Sequence, residues 1–246
     1  MIVRDAGDAW QVVLQTDHAD LAAGLARAWA DTGPRHESVV LAAERHDDGW
    51  AVWEQSPLVD EAGRPVTFLD VRVPAHLAFY RAGIAAIADE DGYAGLLVSM
   101  HGAGIYRQRY GEDPGLRLTH AEEVAGLVEA FVAEQEASVP ERTAAAGVDE
   151  ELRWADYRRL QAYDRLSLLF CMRDLVESEP FEVGPFRVEP RGAWRVGIDP
   201  FPLRAGTGPL RLVRRLVPKR DWTQAAFREA FPRLQPEAVE VVAEPI

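Results

Sequence analysis

The stretch VVLAAERHDDGW, residues 39–50, carries an apolar helical stripe directly into a histidine, an aspartate and a glycine turn. Neighbours on one helix face lie three and four residues apart. His46 follows Val39, Ala42 and Ala43 on such a face, and Asp47 follows Val40 and Ala43. Both polar side chains are therefore expected to point inward. A buried imidazole or carboxylate is costly without a partner, so such groups are paired or bind metal.

Working outward, the same spacing finds four companions. His18 precedes Leu21, Ala22 and Leu25, while His76 precedes Phe79, Tyr80 and Gly83. His101 sits between Leu97 and Ile105, and Asp164 lies on a seam with Leu160, Leu168 and Cys171. His36, beside Arg35 and Glu37, and His120, followed by Glu122 and Glu123, stay outside the set. Taken singly, each inward group is more often satisfied by a backbone carbonyl or an arginine. Together, six separate solutions are a heavier demand than one shared centre.

The expected ligands are thus His18, His46, Asp47, His76, His101 and Asp164. Nitrogen and carboxylate donors suit one or two divalent ions of iron, manganese, zinc, nickel or cobalt. Six ligands exceed what one tetrahedral zinc takes. Two ions ~3.5–4 Å apart, bridged by Asp47, would activate a shared water. Asp47 and His101 are the expected catalytic residues, and Arg107 or Arg109 the expected clamp for an anionic small molecule. Trp50, Trp53 and Tyr106 read as core or loop anchors before pocket walls, and Gly102 and Gly104 as packing positions.

Around this set the chain reads as helices first and strands later. IVR and WQVVLQ suggest an opening hairpin, followed by helices near 16–30, up to the turn at 46–49, 74–89, 93–105, 119–137 and 148–177. Thr119 with Glu122 resembles a capping box. FEVGPFRVEP, AWRVGIDPFPL, PLRLVRRLVP and AVEVVAEPI are short β-like runs split by glycine and proline, with a helix near 221–231. The fold expected is mainly α: a helical bundle core at about 16–178, with a small antiparallel sheet from residues 1–15 and 181–246. All 246 residues form one domain in this reading.

These residues resemble the HD superfamily of metal-dependent phosphohydrolases, defined by H…HD…D; here His18, the His46-Asp47 pair and Asp164 match it. His76 and His101 are similar to the extra histidines of its binuclear subgroup, which includes phosphodiesterases and inositol-oxygenase-like di-iron oxygenases. From MIVR through HDDGW, SMHGAGIY and DRLSLL to DPFPL, the chain is also similar to an uncharacterised bacterial family of HD-like proteins. The resemblance implies an HD-type bundle and hydrolysis of a phosphorylated small molecule at a binuclear site. A di-iron oxygenase and a non-catalytic metal-binding module are the alternatives. The GYP motif of cyclic-dinucleotide phosphodiesterases and the HDxxED signature of alarmone hydrolases are both missing, and fold does not carry substrate with it.

Composition narrows the partners. Forty acidic residues against 27 basic ones give a formal net charge of −13, a field that repels nucleic acid and anionic membranes. The single cysteine, Cys171, precludes an internal disulfide and a CxxC zinc site. No apolar run approaches the ~18 residues that span a bilayer. The charged opening MIVRDAGDAW lacks a signal-peptide core, so the cytoplasm is the expected compartment.

Overall fold

A computed structural model describes residues 1–116, 120–176 and 178–246. The chain opens with a hairpin, β1 (Ile2–Ala6) and β2 (Ala9–Val13), whose turn has Gly7 at a φ of 76°. Helices follow among the described residues: α1 (Gln15–Ala28), α2 (His36–Arg45), the short α3 (Ala51–Glu54), α4 (Val73–Glu90), α5 (Gly92–Ile105) and α6 (Glu122–Ala146). Helix α7 (Glu150–Met172) closes the helical half. Strands β3 (Phe181–Val183), β4 (Phe186–Gly192), β5 (Arg195–Asp199) and β6 (Leu210–Pro218) follow, then α8 (Gln224–Ala230) and β7 (Glu237–Pro245).

Local chemistry accounts for most boundaries. Pro74 occupies the first turn of α4, where a missing N–H costs nothing. Asp91 caps α5 by accepting from the Tyr93 and Ala94 amides, and Asp149 caps α7 through Leu152. Gly147, at a φ of 63°, ends α6 in the left-handed conformation. Leu14 holds the N-cap position of α1 without a side-chain bond, and Glu54 accepts the Gln15 amide at 2.6 Å. The helix start expected at Thr119 lies outside the described residues, as does position 177. α6 runs on to Ala146, beyond the expected 137, with Pro140 inside it.

The expected fold class is wrong. About 53% of the chain is helical and 19% is strand, and the strands form a curled, seven-stranded mixed sheet in an α/β fold. Its order is β1-β2-β6-β7-β5-β4-β3, antiparallel except where β5 and β7 run parallel. This sheet is a wall of the core and no appendage. Ile2, Val13, Val188, Val196, Ile198, Leu212 and Val241 share one buried cluster with Leu21, Leu25, Leu97 and Phe170 of the helices. Successive strand residues face opposite sides, so Val12 and Val217 enter a second cluster with Trp222 and Phe227, beneath α8. The short, glycine-split runs concealed this, because β2 pairs with β6 across some two hundred residues of sequence. Among the described residues, no helix is long and apolar enough to cross a membrane.

Within the helical layer, α1 lies against α2, α7 and β6, and α5 lies between α4 and α6. The HDDG turn touches α4 closely: a Cβ on Gly49 would come 2.0 Å from the Phe79 carbonyl oxygen. Only glycine allows that approach, and it sets Asp47 beside the next residue of α4, Tyr80. Gly104 plays the same part between α5 and α7, where a Cβ would meet the Tyr157 hydroxyl at 2.2 Å.

Candidate metal centre

Five of the six expected ligands converge. His18 comes from the first turn of α1, His46 and Asp47 from the end of α2, His101 from α5 and Asp164 from α7. All five are buried, none more than 4% exposed. Two overlapping groups, His18–His46–Asp47 and His46–His101–Asp164, each bring one donor atom per residue within 4.8 Å of the others. The His46 ring meets those of His18 and His101 edge-on, at 4.9 Å in both cases.

Hydrogen bonding outside the cluster decides what its atoms present inside. His46 Nδ1 lies 2.9 Å from the Ala43 carbonyl, which can only accept, so that nitrogen carries the proton. Its Nε2 is buried without a hydrogen-bond partner, 3.5 Å from Asp47 Oδ2 and 3.5 Å from Asp164 Oδ1. Ser167 Oγ donates to the Asp164 carbonyl, leaving its lone pair for His18 Nδ1 at 2.9 Å. His18 Nε2 is thereby turned toward Asp47 Oδ2, at 3.0 Å. Two ring nitrogens thus face two carboxylate oxygens, and a positive charge must stand between them, whether a proton or a cation. The donor set fits a divalent ion.

The second oxygen of each carboxylate is held by the protein. Asp47 Oδ1 accepts from the Tyr80 hydroxyl at 3.0 Å. Asp164 Oδ2 accepts from Arg109 Nη1 at 2.6 Å, and that nitrogen also reaches Gln161 Oε1 at 2.5 Å. Such outer contacts orient ligands and tune their basicity. Since Gln161 Oε1 is an acceptor here, its amide nitrogen donates to His101 Nδ1 at 3.3 Å. The proton of a neutral His101 then resides on Nε2.

Charge follows this geometry. Burial opposes ionisation of His46, yet Asp47 and Asp164 outweigh it and raise its pKa to about 9. Burial likewise resists charge on Asp164, but Arg109, His46 and His101 hold it well below the usual carboxylate range. Asp47 is also held low against burial, by His46 and His18 above all. For His101 burial prevails, pushing its pKa down to about 3. One ring of the cluster therefore favours a positive charge while another stays neutral.

His76 is the expected ligand that does not join. Its Nδ1 bonds the Tyr106 hydroxyl at 2.5 Å, its ring lies 4.9 Å from Tyr80 and 5.2 Å from Trp50, and burial lowers its pKa to about 4. The two arginines also divide. Arg107 turns to the acidic face of α6, 3.1 Å from Glu129 and 3.5 Å from Glu136, away from the centre. Arg109 is buried against it, on three consecutive left-handed residues, Gln108, Arg109 and Tyr110, with φ of 53°, 52° and 54°. Non-glycine residues in that region cost on the order of 1–3 kcal/mol each. Packing of Tyr110 on Trp154 and Tyr157 holds the segment in place. Asp48 pairs with Arg45 at 2.6 Å and takes no part.

Tyr80, Gln161 and Ser167 were not singled out in the sequence, although a signal existed. Gln161 and Ser167 flank Asp164 at three residues on the same face of α7, and Tyr80 follows His76 by four on α4. The centre opens into a cavity of about 560 Å³ that His76, Tyr106, Trp50 and His120 also line. That volume suits a small molecule. No characterised protein and no solved structure matches the chain. Residues 1–219 match the family described as Protein of unknown function (DUF3891), and the chain belongs to that family.

Proposed function

We propose that the chain is a metal-dependent hydrolase of a phosphorylated small molecule, in the manner of the HD superfamily, working with a single divalent ion. The observation that carries this reading is His46 Nε2, buried without a hydrogen-bond partner between two carboxylates. His18, His46, Asp47 and Asp164 would hold the ion. One ion accords with the geometry better than the bridged pair expected from sequence. His46 is common to both ligand groups and has one nitrogen to give, and Asp47 Oδ1 is already committed to Tyr80.

A divalent ion supplies, when bound, a water acidic enough to attack near neutral pH and a charge that stabilises a phosphoryl oxygen. The chain's own residues do the rest. Arg109, fixed by Asp164 and Gln161, faces the cavity with a permanent positive charge suited to a phosphate oxygen. His101, neutral with its proton on Nε2, would donate a hydrogen bond to a substrate oxygen and orient it. Hydrolysis adds the water oxygen to phosphorus, breaks the ester P–O bond and releases the alcohol, which takes up one proton of that water.

Elemental analysis of untagged protein tests the count: one ion per chain supports this reading, and two would favour a di-iron or other binuclear centre. Manganese-loaded protein should hydrolyse a member of a phosphomonoester and phosphodiester panel. Asp47→Ala should abolish both binding of the ion and turnover. His101→Ala should keep the ion and lose turnover roughly a hundredfold or more. Undiminished hydrolysis by Asp47→Ala would refute the assignment.

A further inference from the structure

We infer that the substrate is an amphiphile, a compact phosphate group carried on an apolar body, and not a sugar phosphate or nucleotide. The inference takes its headgroup from the phosphate-ester reading above; the apolar body is argued from the cavity. Its lining joins the metal-facing polar residues to a broad apolar set. The polar set includes the metal-facing residues and Arg109, which bonds Asp164 and Gln161 through Nη1. Beyond these, Asp113, His120, Arg165, Arg173 and Glu182 share the lining with aliphatic and aromatic side chains. Phe68, Leu69 and Val73 come from the segment leading into α4, Leu168 and Met172 from the last turns of α7, and Val183 from β3.

Two of these side chains are unusual for their exposure. Leu69 is 58% and Met172 42% exposed, and both border the same cavity. Scattered exposed leucines carry no message, whereas apolar side chains gathered on a ligand cavity mark where an apolar surface lands. Two of the charged groups in the lining are engaged, while His120 and Glu182 are exposed. Arg165 donates to the Glu112 carbonyl at 2.7 Å and lies 3.7 Å from Asp113, and Arg173 sits 4.0 Å over the Phe181 ring. Against the apolar side chains, the polar groups of a polyol or a base would lose water without compensation.

The test is calorimetric titration of manganese-loaded protein with n-alkylphosphonates from methyl to octyl, with glycerol phosphate as the polar comparison. Affinity should climb roughly threefold for each added methylene over the shorter members, as burial of CH₂ groups requires. Leu69→Asp and Met172→Asp, at exposed positions that tolerate charge, should flatten the climb. Val52→Asp, at a site 74% exposed and off the cavity, should leave it unchanged. A series without length dependence, or glycerol phosphate binding as tightly as the hexyl compound, would overturn the inference. Turnover of the matching n-alkyl phosphates separates the two readings. A climb in affinity without hydrolysis defeats the hydrolase and leaves the amphiphile standing; hydrolysis indifferent to chain length does the reverse.

Discussion

At the scale of single residues, the centre is governed by which nitrogen of each ring carries a proton. His46 has Nδ1 committed to Ala43, so only Nε2 can exchange a proton for a cation. Its pKa of about 9, raised by Asp47 and Asp164 against burial, means that the metal-free site holds that proton at neutral pH. Binding must expel it. Below pH 9, metal affinity should therefore rise about tenfold per pH unit and level off above, read by competition with a chelator of known affinity. The metal-free fold should show the opposite trend. A raised histidine pKa stabilises fully below the unfolded value near 6.5, and that contribution is lost as pH rises through 9. Thermal melts of chelated protein across this window test the sign. Tyr80 offers a second handle: Tyr80→Phe removes the hydrogen bond to Asp47 Oδ1 without changing the ring. Metal affinity should fall about 10- to 100-fold, as for other outer contacts, with the fold intact by circular dichroism.

At the scale of elements, the HDDG turn and α4 form one unit because Gly49 lets their backbones touch. Gly49→Ala places a Cβ against the Phe79 carbonyl, and backbone cannot yield as a side-chain tip does. The variant should lose about 1–3 kcal/mol in urea denaturation and bind metal more weakly, since Asp47 moves with the turn. An unchanged denaturation midpoint would show that the approach is looser than 2.0 Å implies. Arg109 depends on its element in a comparable way. Its guanidinium reaches Asp164 from a left-handed segment that no periodicity announces. Position along the sequence offered Arg107 and Arg109 equally, and only the path of the turn separates them.

At the scale of the whole molecule, helices and sheet share one apolar interior. Leu212, wholly buried on β6, belongs to the cluster that contains Leu21 and Leu97. Leu212→Ala should cost about 2–5 kcal/mol and lower a single unfolding transition followed by both near- and far-ultraviolet circular dichroism. A separate early melt of the strands would restore the idea of an appended sheet. The same interior explains how residues from four helices gather: α1, α2, α5 and α7 are fixed relative to one another by the sheet beneath α1 as well as by their own contacts.

Sequence by itself determined the helices near the centre and the inward direction of His18, His46, Asp47, His101 and Asp164, because three- and four-residue spacing is local and needs no knowledge of partners. His76 satisfied the same rule, yet stands apart with Tyr106: facing inward is not the same as facing one point. The sheet, the roles of Arg107 and Arg109, and the contacts of Tyr80, Gln161 and Ser167 were settled only in three dimensions. Each depends on groups distant in sequence, and pairing between β2 and β6 or between Arg109 and Asp164 leaves no periodic trace in either partner.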